Sequence, residues 1–173
     1  MTVDPKVERT EILLEQSNLL YNRLESNISS LKSRNSTFFT IMIAVTSIEI
    51  TLAQIYFKFI WNTEYLWIYL LIIAVFLILI FSSGFFFYQV FKIKGYKEIK
   101  IFEEKRYKQL RTCNKLDLLQ DFLYHIEEAF IFNRNIYRDD MKSFKRSFNL
   151  YITANVVLFI SFILLFLTIP KTV

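Results

Sequence analysis

The chain has 173 residues, a formal charge of +5, one Cys, two Gly and two Pro. Its length allows about one domain, and its single thiol excludes an internal disulfide and a cysteine-based zinc site. So few turn residues exclude a β architecture. With 54% hydrophobic residues and three stretches nearly free of charge, the composition predicts an all-α integral membrane protein with three transmembrane helices.

Residues 1–37 predict a cytoplasmic amphipathic helix. Asp4 and Pro5 form a start signal, with Asp as cap and Pro at the first helical position. Leu13, Leu20, Leu24, Ile28 and Leu31 recur at helical spacing over 6–35. That face suits packing against the rest of the cytoplasmic part. It also suits a coiled-coil seam between subunits, against which stand Ser17 and Asn27. No signal peptide is expected, because the first apolar stretch begins only at Phe38, after this charged segment.

The first predicted span, 38–60, carries Thr40, Ala44, Ser47, Thr51, Gln54 and Lys58 at steps of four and three, hence on one narrow helix face. Such a stripe of small and polar groups serves close helix packing, or lines a water-filled path. Glu49 lies in the middle of the span, about half a turn from the stripe. A carboxylate at that depth costs several kcal/mol unless paired, hydrated or protonated. One reading is a neutral acid hydrogen-bonded to a group such as Ser161; the other is a proton or cation site.

A short WNTEY turn leads to the second span, 65–91, which has no charged residue. Residues 92–149 predict a cytoplasmic basic helical hairpin: a helix from Lys92 to Arg111, a turn at 112–114, and a second helix from Lys115. Leu119, Phe122, Ile126, Ala129, Asn133, Tyr137, Met141, Phe144 and Phe148 stripe that second arm and lead into the third span, 150–169.

Lys and Arg set the orientation. Arg23, Lys32 and Arg34 precede the first span, whereas Lys92, Lys94, Lys97 and Lys100 follow the second and Lys142, Lys145 and Arg146 precede the third. This bias predicts insertion in the cytoplasmic (inner) membrane with the N-terminus inside and the C-terminus outside. Trp61, Tyr65 and Trp67 suit an interfacial aromatic belt at the outer turn. Residues 91–149 hold fourteen Lys and Arg against nine Asp and Glu. Their place below the bilayer predicts anionic lipid headgroups as partners and no nucleic acid, since no recognition motif accompanies them.

Asp121, His125 and Glu128 share a helix face, but a lone His favours a solvated polar edge over a metal site. Cys113 has no nucleophile–base surroundings and reads as an inert thiol. No phosphate loop, catalytic pair or cofactor motif is present, which predicts a protein that is not an enzyme and has no cofactor.

The segments ILLEQSNLLYNRLESNISSLKSRNSTFF, the hairpin turning at WNTEY, and IKGYKEIKIFEEKRYKQL together resemble the SLATT family of small bacterial membrane effectors. The resemblance is one of layout and covers about two thirds of the chain. It implies an oligomeric effector that breaches the inner membrane in anti-phage defence, triggered by a cytoplasmic sensor protein or nucleotide signal. The third span and the lack of a recognisable sensor domain depart from that layout. One chain with three spans is too small to enclose a channel, so a pore requires a homo-oligomer. The alternative is a non-conducting accessory or scaffold subunit of a larger membrane complex.

Overall fold

The structure, a computed structural model, describes residues 4–61, 64–92, 94–97 and 114–168. Three helices make up the described chain: α1 (Pro5–Ile60), α2 (Leu66–Phe91) and α3 (Lys115–Thr168). All three contain a segment long and apolar enough to cross a membrane.

The expected cap is formed at the start of α1. Asp4 Oδ1 accepts from the Lys6 N–H at 2.9 Å, and the Asp4 carbonyl accepts from Val7 and Glu8. From there no Gly or Pro interrupts the helix. The amphipathic segment and the first apolar stretch are therefore one helix of 56 residues, and the charges of Lys32 and Arg34 do not break it.

α2 ends at Phe91. The Lys92 N–H closes the last turn on the Tyr88 carbonyl, and the Lys92 backbone (φ −53°, ψ 124°) leaves the helix. Residues 94–97 are non-helical. This departs from the helix expected from Lys92 onward; the remainder of that expectation, 98–113, and Cys113 with it, lie outside the described residues. α3 begins where expected, its first turn closed by Leu118 N–H on the Asn114 carbonyl.

The chain packs as two compact units, residues 1–31 with 93–139 and residues 32–92 with 140–173. In the second, apolar unit, three clusters form the core. Met42, Phe87 and Tyr151 gather at one, Ile60 and Tyr69 at another, and Phe76, Ala154 and Leu158 at the third. Phe38 packs among Phe87, Phe144, Phe148 and Tyr151, with ring centroids 4.8–6.3 Å apart. Tyr56 stacks on Phe162 at 4.6 Å. The buried residues of α2 (Tyr69, Phe76, Ser83, Phe87, Val90) fall at steps of seven, seven, four and three, the spacing of a seven-residue packing seam.

The outer surface of this unit is apolar too. Trp67, Phe81, Phe85 and Tyr88 on α2 are more than half exposed, Phe81 at 74%. So many uncovered aromatic rings on one helix suit hydrocarbon surroundings and not water.

In the charged unit, the inward line of α1 is Thr10, Leu14, Ser17, Tyr21, Leu24, Ile28 and Leu31, with Thr10, Leu24 and Leu31 buried. Leu13 and Leu20, expected on that line, are each half exposed. The steps of four and three run through Ser17 instead, so a polar residue occupies the seam and two leucines are left outside it. Glu11 and Lys115 pair across exposed ground at 2.7 Å, a contact of small energetic weight.

Candidate functional site

The apolar half of α1 presents two distinct faces. The inward face carries Asn35, Phe38, Met42, Thr46, Glu49, Ala53, Tyr56 and Ile60, all buried or half-buried. The opposite face carries Thr40, Ala44, Ser47, Thr51, Gln54 and Lys58, and every one of them is exposed. The stripe read from the spacing is thus turned away from the core of a single chain, and only its last two members, Gln54 and Lys58, also border the neighbouring helices. Ile41 and Ile48 beside it are exposed as well.

The stripe is longer than the sequence reading gave it. Ser33 and Thr37 precede Thr40 at the same alternating step, and Ser26 and Ser30 keep the step further back; all four are exposed. The signal was an unbroken four-three run of Ser and Thr, hidden because the reading stopped at the first apolar residue.

Most of these hydroxyls are already satisfied. Thr37 and Thr40 donate to the Ser33 and Ser36 carbonyls at 3.1 Å, Ser47 to Ile43 at 2.8 Å and Thr51 to Ser47 at 2.9 Å. Each bond runs back four residues along its own helix, so the donor needs neither water nor a neighbour.

Glu49 turns inward, away from the stripe. Its Oε2 is buried without a hydrogen-bond partner, as are Thr46 Oγ1 and the Tyr151 hydroxyl. Tyr151 on α3 lies close to Glu49, Thr46 and Asn155, and Asn155 donates its amide to the Tyr151 carbonyl at 2.8 Å. Ser161, the suggested partner for Glu49, is occupied elsewhere. It donates to its own Val157 carbonyl at 2.7 Å. It also sits beside Phe162, which packs at the level of Tyr56, about two turns past Glu49. The neighbour of the acid is therefore a phenol, Tyr151, at the very start of the third apolar stretch. Asn35 adds a fourth such residue: it is fully buried and both its amide atoms lack partners.

Ser83 on α2 and Ser147 on α3 form a reciprocal polar contact between the two helices. Ser83 Oγ donates to the Ser147 carbonyl at 2.9 Å, and Ser147 Oγ donates to the Ser83 carbonyl at 2.7 Å. Both side chains are fully buried. Small residues let the two backbones approach this closely. Tyr69 ties α2 to α1 in turn, its hydroxyl donating to the Ala53 carbonyl.

In the charged unit Lys97 joins four of the described polar contacts. The Lys97 N–H donates to Asn133 Oδ1 at 2.9 Å, and Asn133 Nδ2 returns a bond to the Lys97 carbonyl at 3.1 Å. Tyr21 of α1 donates to the same carbonyl at 3.4 Å, while the Lys97 ammonium meets Glu128 at 2.5 Å. Asn133 is buried, and its carboxamide supplies both a donor and an acceptor to the non-helical backbone of residue 97.

Glu128 is therefore engaged by Lys97. Their hydrogen bond holds its carboxyl below the usual carboxylate range, with the charges of Lys97 and His125 adding to it against a desolvation that opposes it. His125 faces Asp121 at 3.4 Å and Glu128 at 3.9 Å. Among the described residues no group of three such side chains could hold a metal ion.

The remaining basic residues divide. Lys92, Lys142, Lys145 and Arg146 are exposed and Lys94 is half-buried; the Arg146 guanidinium sits 5.9 Å from the Phe86 ring centroid. Lys100 lies outside the described residues. No family model matches the chain, and no characterised protein or solved structure matches it.

Proposed function

We propose that this protein is a homo-oligomeric, channel-like effector of the bacterial inner membrane, assembled through the outward face of α1. The observation that carries the reading is the division of that helix. One face meets α2 and α3, while the other presents small residues at a seven-residue repeat and is exposed from Thr40 to Lys58. Against lipid such a face packs poorly, whereas an identical helix can approach it closely. The charged unit contributes a second uncovered patch, since Ile12, Leu13, Leu19 and Leu20 are each at least half exposed.

In this reading α1 stands nearest the symmetry axis. The N-terminus and the charged unit lie in the cytoplasm, as the Lys and Arg flanks favour. The layout resemblance to SLATT proteins supports a trigger on that side and a role in anti-phage defence.

The back-bonded hydroxyls favour a second reading as well. A stripe that needs no water suits dry contact with a larger membrane complex, which makes the chain a non-conducting subunit.

The test uses single cysteines with Cys113 replaced. Thr40→Cys, Ser47→Cys and Thr51→Cys should each form intersubunit disulfides on oxidation, while Val45→Cys, which packs in the core, should not. Mass in mild detergent should correspond to three or more chains, and proteoliposomes should release ions. A monomeric mass with no stripe cross-linking overturns the assembly. An intact oligomer with tight liposomes selects the non-conducting reading.

A further inference from the structure

A cleft of about 510 Å³ opens between α1 and α2 in the apolar unit. Its walls are almost wholly apolar, with Ile50, Ala53, Phe57, Ile73 and Leu77 among them, and Lys58 stands on its rim. The volume falls in the range of a specific small-ligand site.

The cleft has a direction. Lys58 is two residues from the end of α1, next to the exposed Trp61, so the charged rim lies at the interfacial end of the span. Ile50 marks the other end. Eight residues of helix separate them, about 12 Å, close to the ~15 Å depth of one leaflet's hydrocarbon. Among the described residues Lys58 has no ion-pair partner.

A trough one leaflet deep, apolar along its length and cationic at its headgroup end, has the complementary shape of an anionic amphiphile. We propose that it is a binding site for one anionic phospholipid, with an acyl chain laid in the cleft and the phosphate on the Lys58 ammonium. The inference rests only on these helices lying in a bilayer and stands apart from whether the oligomer conducts.

Trp61 supplies a built-in reporter, because its ring packs edge-on against the cleft residue Phe57 at 5.0 Å. Trp67→Phe, at a position 77% exposed, leaves Trp61 as the sole tryptophan, excited selectively above the tyrosine band. The protein is reconstituted in phosphatidylcholine vesicles holding a minority of brominated phosphatidylglycerol, or of brominated phosphatidylcholine. Half-quenching of Trp61 should need about fivefold less of the anionic lipid than of the zwitterionic one. Lys58→Gln should erase that preference and Lys58→Arg should keep it. Ala53→Phe, which fills the trough, should weaken quenching by both lipids; should that variant misfold, the Lys58 pair decides alone.

Equal quenching by the two lipids in the parent protein overturns the proposal, as does a preference that survives Lys58→Gln. Weak quenching by both means that another copy of the chain covers the cleft, and overturns it as well.

Discussion

Ser83→Ala and Ser147→Ala, made singly and together, test whether the crossed geometry between α2 and α3 is real. Ser83 has one proton and three acceptors in reach: the Ser147 carbonyl at 2.9 Å, Ser147 Oγ at 3.1 Å and Met42 Sδ at 3.8 Å. The carbonyl is the closest and strongest of them. Ser147 in turn spends its proton on the Ser83 carbonyl at 2.7 Å. Each hydroxyl therefore donates to backbone that survives the loss of the other side chain. An interhelical hydrogen bond within a membrane averages about 0.6 kcal/mol and reaches about 1.7, so each single change should cost about that much. The two costs should then add within about 0.5 kcal/mol, although residues in contact ordinarily couple. Reversible unfolding by dodecyl sulfate titration in mixed micelles, across all four variants, gives the coupling. A coupling above about 1 kcal/mol would mean that the hydroxyls bond to each other, and the crossed assignment would be wrong. Single changes without cost would show that the contact is not formed.

Asn133→Ala removes both bonds to the Lys97 backbone and should destabilise the charged unit by roughly 1–3 kcal/mol, read by thermal unfolding; an unchanged melting temperature refutes the clamp. The Glu128 carboxyl should titrate below the unfolded value of about 4.3. With a depressed folded pKa, its contribution to stability is present above that value and lost as pH falls through the folded one. Carbon-detected NMR should show the low midpoint in the parent and its return toward the unfolded value in Lys97→Met. At Glu49 the buried oxygen without a partner predicts that Glu49→Leu stabilises the bundle by about 1–3 kcal/mol, whereas Glu49→Gln leaves oligomer mass unchanged. This reasoning is falsified if the Leu variant unfolds more easily than the parent. A Leu variant that gains stability and loses permeabilising activity would mark Glu49 as a strained functional acid.

The three apolar helices were legible because charge is absent from 65–91 and 150–169 and because Asp4–Pro5 is a strong start signal. The facing of α1 was half legible. A four-three step placed Glu49 opposite the stripe, but periodicity does not say which face a neighbour takes. Leu13 and Leu20 show the same limit: their hydrophobicity drew them into the inner line, while the seam runs through Ser17. What escaped the sequence was polar pairing with backbone. Ser83 and Ser147 lie 64 positions apart, and Asn133 recognises the main chain of Lys97, to which side-chain identity gives no clue. Ser161 was the natural guess for Glu49 by depth, yet a Ser in a helix can satisfy itself four residues back, and here it does.

For the oligomer proposed above, that same self-sufficiency would set the timing of assembly. A subunit whose Thr37, Thr40, Ser47 and Thr51 hydroxyls are met within its own helix can enter lipid and persist there alone with those donors satisfied. Release of these hydroxyls then contributes nothing to association, which is left largely to close packing of small side chains, a weak drive per residue. The monomer population would be large at low copy number and would collapse into rings only as surface density rises. Expression level would thus act as a threshold, and a cell could hold the protein dormant simply by holding it dilute.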